Sequence, residues 1–324
     1  MSKKSEPSAE PKKKVLYTLS LTPEQANALK VWCDRQLWVP HEVEYAQFGY
    51  KGDGVNVVMY TSGKLVVQGK KTEEFVTYVL EGEITKDPRL GYDVFHHPEW
   101  FEAHGGLDES GKGDLFGPVV SACVLVDAGV AQTWLDMGIR DSKSISSDAE
   151  IFRLETLIRR TQGVVVQTTF ANMRRYNELY LKFGSNLNKL LAWMHSKSLG
   201  EALKLKRVPW AMLDQFTKQP LVQNYFKDEK DFELRMTTKA EADPIVAAAS
   251  IVARATYVKQ LEKLSEQAGE PLLKGASRQV RAQAERLVQR LGKDGLYDFA
   301  KMHFRTALEA CGEAVPDKVP WVRR

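Results

Sequence analysis

Residues 105–114 read GGLDESGKGD, and the fold and chemistry of the chain turn on how this stretch is read. From Gly106 the spacing is G-x-x-x-x-G-K, the opening of a phosphate-binding loop. Two features argue against a nucleotide cradle. Gly113 stands where a Ser or Thr should hold magnesium, and Asp108 and Glu109 fall where phosphate oxygens should sit. Carboxylates repel phosphates unless a cation intervenes. The stretch is therefore read as a site in which the two acids are the working groups.

Outward from it, strands and helices interleave. LFGPVVSACVLV (115–126), GVVVQTTF (163–170), VPWAMLD (208–214) and DFELRMTT (231–238) are short, apolar and rich in β-branched residues, hence strands. DAEIFRLETLIRR (148–160), NLNKLLAWMHSKSLGEALK (186–204) and DPIVAAASIVARATYV (243–258) have helical spacing. Asp243 is the expected cap of the last, with Pro244 at its first position. Further helices are expected over 276–290 and 299–310. This is an α/β layer architecture around a central sheet.

Upstream lies a smaller α+β pattern. VLYTLSLT (15–22) is a strand, and PEQANALKVW (23–32) opens a helix capped by Thr22. YAQFGYKGDG, VNVVMYTSG and KLVVQGK give three strands joined by hairpin turns, and TEEFVTYVLEG (72–82) a second helix with Thr72 as cap. The expected organisation is a tail at 1–14, a binding domain at 15–85, an irregular linker at 86–103 and a catalytic domain at 104–324. Adjacent His96 and His97 in the linker lack metal-site spacing.

Composition narrows the class. The 324 residues are 43% hydrophobic and 27% charged, as in soluble globular proteins. No apolar run approaches the roughly 20 residues of a membrane helix, and the basic N-terminus has no apolar core like that of a secretory signal. Cys33, Cys123 and Cys311 are far apart, which suits a reducing cytoplasm. Residues 1–85 balance 11 basic against 11 acidic side chains, whereas 153–210 carry 11 basic and 3 acidic ones. Tyr176, Tyr180, Phe183 and Trp193 punctuate that basic stretch, a pattern that suits a polyanion with bases to stack. A solvated helix face is the plainer alternative.

The acids carry the chemistry. Asp108 and Glu109 are placed at the beginning or a bend of a strand, Asp214 ends one, and Glu241 and Asp243 immediately precede a helix. In α/β folds strand ends and helix starts crowd at one edge of the sheet. Two carboxylates about 4 Å apart repel by about 4 kcal/mol at an effective dielectric of about 20. Several together call for hard divalent cations, magnesium above all, and an ion pair of that kind suits phosphodiester cleavage.

The blocks GGLDESGKGDLFGPVVSACV, RDSKSIS, YNELYLKFGSNLNKLLAWMH, MLDQF and TKAEADPIVAAASIVAR, in this order, resemble the type 2 ribonucleases H and closely their HIII branch. The GKG after DES and the YN…NLNKLLAW block point to that branch, as does the upstream domain, which resembles its TATA-binding-protein-like domain. The resemblance implies an RNase H-like catalytic domain, a mixed sheet with flanking helices. It also implies endonucleolytic hydrolysis of the RNA strand of RNA–DNA hybrids, leaving 5′-phosphate and 3′-hydroxyl ends, with Mg2+ or Mn2+ at a two-ion site. Asp108, Glu109 and Asp214 match the first three catalytic acids and metal ligands, and Glu241 the fourth. The gap between KAE and AAAS is one residue short of the family pattern, so Asp243 stays open as the fourth acid. Gly111, Lys112 and Gly113 suit backbone and phosphate contact with a nucleic-acid strand. Lys143, Asn186 and Lys189 are further candidate contacts, although Asn186 equally suits a helix cap. A monomer is expected.

Overall fold

The computed structural model describes residues 16–86, 97–137, 139, 145, 147–238 and 240–315. The chain divides into two compact units, Met1–Pro98 and Glu99–Arg324. The second takes in Glu99–Ala103 from the expected linker. Trp100 is buried there, within a 3-10 turn over Pro98–Phe101. Residues 87–96, with His96, lie outside the described residues, as does the tail. Among the described residues no helix is long and apolar enough to cross a membrane.

The first unit runs β1 (Leu16–Ser20), α1 (Pro23–Arg35), β2 (Val39–Pro40), β3 (Ala46–Gly52), β4 (Val55–Tyr60), β5 (Lys64–Gly69) and α2 (Thr72–Phe75), which continues as a π-helix over Val76–Thr85. Its antiparallel sheet has the order β1-β5-β4-β3-β2. Leu29 and Cys33 of α1 pack with Val57, Leu65, Val67 and Leu80 in its core. Thr22 caps α1 in a capping box with Gln25. Two readings change. The two-residue β2 is too short to leave a periodic signal. Thr72 lies inside α2, where its hydroxyl donates to the carbonyl of Gly69 at 2.9 Å instead of capping the helix.

The second unit contains β6 (His104–Ser110), β7 (Val120–Val126), α3 (Val130–Asp136), α4 (Asp148–Arg160), β8 (Val164–Thr169), α5 (Met173–Lys182), α6 (Leu187–Leu205), β9 (Trp210–Asp214), β10 (Glu233–Thr237), α7 (Pro244–Ala268), α8 (Arg278–Leu296) and α9 (Arg305–Ala310). The sheet order is β10-β9-β6-β7-β8. The β6–β9 and β9–β10 pairs are parallel, and β6–β7 and β7–β8 antiparallel. One face packs on α7, with Ala122 and Val124 against Ile245, Ala248, Ala249 and Val252. The other packs on α6, with Leu107, Cys123 and Leu213 against Ala192, Leu199 and Ala202.

Two sequence expectations are corrected here. Asp108 and Glu109 sit late in a regular strand, not at its beginning or a bend. The glycines before them serve packing. A Cβ on Gly106 would overlap backbone atoms of Ile245 and Val246, because the first turn of α7 lies directly on β6. The basic stretch is also no free polyanion stripe. Arg153, Arg159, Arg174, Arg175, Lys204, Lys206 and Arg207 all lie in ion pairs. The aromatic residues among them belong to a core cluster in which Tyr176 is buried.

Gly106→Ala is expected to cost about 3 kcal/mol, since backbone cannot retreat as a side chain can. Gly105→Ala should cost less: its Cβ would meet the flexible Leu125 Cδ2 at 2.6 Å and Ala211 Cβ at 2.9 Å. Urea denaturation of both variants checks the order.

Candidate active site

Strand alternation decides where each acid points. In β6, Gly106 and Asp108 share one face and Leu107 and Glu109 the other. Asp108 therefore faces α7, where Ser250 hydrogen-bonds it. Glu109 faces α6, where His195 Nε2 lies 3.1 Å from its Oε2. The β6–β9 register pairs Leu107 with Leu213. Asp214 is the next residue, level with Asp108 and on the same face. Glu241 comes from a 3-10 turn, Ala240–Ala242, just before α7. That turn is tied to the site, since Ala240 N–H donates to Asp214 Oδ1 at 3.2 Å. Asp108, Glu109, Asp214 and Glu241, with Ser110, Ser250 and Arg254, line one cavity of about 320 Å3.

Asp243 has a different task and does not line this cavity. It is 1% exposed and caps α7 by accepting from Ile245 N–H at 2.8 Å. Its Oδ2 lies 3.2 Å from Nε2 of His104, a fully buried residue stacked on Trp210 at 4.2 Å. The pair links the start of β6 to the start of α7.

Charge is poorly balanced among the acids. Burial and then the neighbouring Glu109 charge push Asp108 up to about 6. Burial would raise Glu109 as well, but the hydrogen bond and charge of His195, helped by Lys112, outweigh it and hold the carboxyl below its ordinary value. The donor set is all oxygen. Among the described residues no three His, Cys, Asp or Glu are gathered tightly enough to close on one ion. An open cavity of carboxylates, one of them raised by burial and by its neighbour, fits Mg2+ or Mn2+, hard cations that are held by a few carboxylates together with water.

The loop after β6 is fixed from the C-terminal part of the chain. Lys301, fully buried, donates through Nζ to the carbonyls of Asp114 (2.7 Å) and Gly117. Its backbone N–H donates to Leu115 O. Tyr257 hydroxyl donates to Phe116 O, and Asp114 Oδ1 accepts from Gly275 N–H. Asn177, from the YN motif, holds Lys301's own segment by donating to Ala300 O and accepting from Met302 N–H. Gly111 has φ +82°, and a Cβ would collide with Pro118 O and the Tyr257 ring, so this glycine serves the interior. Gly113 faces open space. Lys112 reaches back to Glu109 Oε1 at 3.4 Å and lies over the Phe216 ring.

The remaining candidates stand apart. Asn186 caps α6 by accepting from Lys189 N–H at 3.1 Å, and neither residue lines the cavity. Lys143 lies outside the described residues. Sequence reasoning missed Ser250, Arg254 and His195. The first two had a signal: they are polar at i and i+4 in an otherwise apolar buried helix. Arg254 also donates to Ile145 O at 2.7 Å.

The raised carboxyl of Asp108 has a measurable consequence. The folded chain keeps this proton up to about pH 6, whereas the unfolded chain releases it near its ordinary value of 3.8. Stability is thus lost as pH rises through that window, by roughly 3 kcal/mol. Without divalent ions, Asp108→Asn should be more stable than the parent above pH 6 and not at pH 4, as read by thermal melting.

Comparison with known proteins gives the family. The ribonuclease HII family profile matches residues 105–307, and a profile described only as a domain of unknown function matches 19–87. Ribonuclease HIII of Protochlamydia amoebophila is 36% identical over 266 residues, covering 81% of this chain and 85% of that protein. Ribonuclease HIII of Chlamydia pneumoniae is 34% identical over 302 residues, covering 91% and 98%. Among solved structures, Bst-RNase HIII in complex with Mn2+ superposes with a TM-score of 0.62 at 26% identity, covering 92% of this chain and 98% of that one. Aquifex aeolicus RNase H3 gives 0.53 at 25% identity, covering 89% and 100%. A sheet that brings four carboxylates to one cavity, and agreement with these relatives along most of their length, have one reading: the chain belongs to the ribonuclease HIII family of type 2 ribonucleases H.

Proposed function

We propose that the chain cleaves the RNA strand of RNA–DNA hybrids endonucleolytically, leaving 5′-phosphate and 3′-hydroxyl ends. The observation that carries this is the convergence of Asp108, Glu109, Asp214 and Glu241 on one cavity. Asp108, Glu109 and Asp214 would hold the divalent cations, and Glu241 would complete the set from the helix side. When bound, two such cations activate a water and neutralise charge on the leaving 3′ oxygen. Ser250 fixes Asp108, and Ala240 N–H fixes Asp214, so the ligands are oriented before substrate arrives.

The tethered loop presents Lys112 and the open Gly113 beside the acids. Gly113 lets backbone approach the 2′-hydroxyls of an A-form strand, and Lys112, half-exposed beside Glu109, offers its ammonium to a phosphate. Asn186, Lys189 and Lys143 are further contacts along the strand. The domain at 15–85 grips the duplex without taking part in chemistry. A groove of about 670 Å3 with Trp38, Lys51, Lys71 and Tyr78 in its lining supplies aromatic and cationic groups for that purpose. The chain acts as a monomer in the cytoplasm.

Cleavage of a labelled RNA strand in a hybrid, with Mg2+ or Mn2+ and with chelator, tests the reading. Metal-dependent cuts at several internal positions are expected, with duplex DNA left intact. Asp108→Asn and Asp214→Asn should each lower the rate by on the order of 10³-fold, the scale of removing a charge-stabilising group, while hybrid binding survives. Normal cleavage by either variant contradicts the assignment. Deleting residues 1–85 should raise KM far more than it lowers kcat, and an unchanged KM removes the gripping role.

A further inference from the structure

Glu109 is held from behind by a chain of hydrogen-bonded side chains. Ser198 Oγ donates to the carbonyl of His195 at 3.1 Å. Ser121 Oγ lies 3.0 Å from Ser198 Oγ and 2.9 Å from His195 Nδ1. On the other side of the ring, Nε2 faces Glu109 Oε2 at 3.1 Å, and an imidazole nitrogen against a carboxylate oxygen is the donor.

This cluster lies inside the protein. His195 and Ser121 are fully buried and Ser198 is 1% exposed. Ser121 is the register partner of Glu109 across β6 and β7, so both point toward α6. The imidazole also stacks on Phe216, two residues beyond Asp214, with ring centroids 5.7 Å apart and planes 22° apart. Hydrogen bonds at both nitrogens and a ring against one face leave the imidazole a single orientation. The chain of hydrogen bonds ends on one oxygen of the Glu109 carboxylate.

We propose that His195 is a positioning residue for Glu109. Its Nε2–H fixes Oε2, and Oε1, which faces Lys112, is left to bind the divalent cation. Ser121, hydrogen-bonded at Nδ1, and Ser198 behind it act through the imidazole by holding the ring in place. The inference rests on the assignment of Glu109 as a cation ligand. Groups that orient a metal's ligands commonly affect affinity by about 10- to 100-fold when removed.

The test is Mn2+ binding to the full chain, read by paramagnetic resonance of the free ion, together with steady-state cleavage. His195→Ala should weaken Mn2+ binding about tenfold and lower kcat at limiting Mn2+, with KM for the hybrid unchanged. His195→Gln retains an N–H for Oε2 and should recover most of the affinity. Ser121→Ala should weaken binding severalfold although Ser121 does not line the cavity. Parental affinity in His195→Ala, alongside weakened binding in Glu109→Gln, overturns the inference alone. Parental affinity in Glu109→Gln overturns the ligand assignment on which it rests. If His195→Ala does not fold, His195→Gln and Ser121→Ala decide, and parental affinity in Ser121→Ala overturns the proposal.

Discussion

The structure of the catalytic unit depends on one close approach, the backbone of α7 against Gly106 of β6. No side chain fits between them, so helix and strand lie as near as two backbones can. Everything that converges on the cavity follows from that seat. The helix begins at Asp243, which is fastened to His104 at the start of the same strand. The turn before it carries Glu241, and one face of the helix delivers Ser250 to Asp108. With a Cβ at 106 the helix would lift, and the fourth acid would leave the other three.

The cavity is built from both faces of the sheet. Asp108 and Asp214 belong to the α7 side and Glu109 to the α6 side, and they meet only because each lies near the end of its strand. Each acid consequently inherits a different environment. Asp108 is raised by burial and by its neighbour, while Glu109 is held down by His195 and Lys112. This mismatch is tolerable in a site made for cations, because a bound ion removes the repulsion that the fold imposes. The loop that follows is held by a buried lysine and by Asn177, so its Lys112 and Gly113 stand at a fixed height above the acids.

Most of this architecture was legible in the residues. Helix spacing, Pro244 after a cap and β-branched runs mark α4, α6 and the start of α7 closely and locate β7 to β10, while α7 runs on to Ala268, well past the expected end at 258. The acids were legible as a group because strand ends and helix starts meet at a sheet edge. The distinction between Glu241 and Asp243 was not legible, since it depends on His104, 139 residues away from Asp243 in the chain. The basic stretch misled for a related reason. Its partners, such as Asp294 and Asp298 for Arg174 and Asp127 for Lys206, are distant in sequence, and local charge counts cannot see them. His195 sits among apolar helix positions and reads as core. Its use appears only when β6 and β7 place Glu109 and Ser121 against it.

The most direct measurement is anomalous diffraction from a crystal of the chain grown with Mn2+. Peaks bounded by carboxylate oxygens of Asp108, Glu109, Asp214 and Glu241 are the expected result. Manganese bound elsewhere in crystals of an active enzyme, with this cavity empty, would contradict the account.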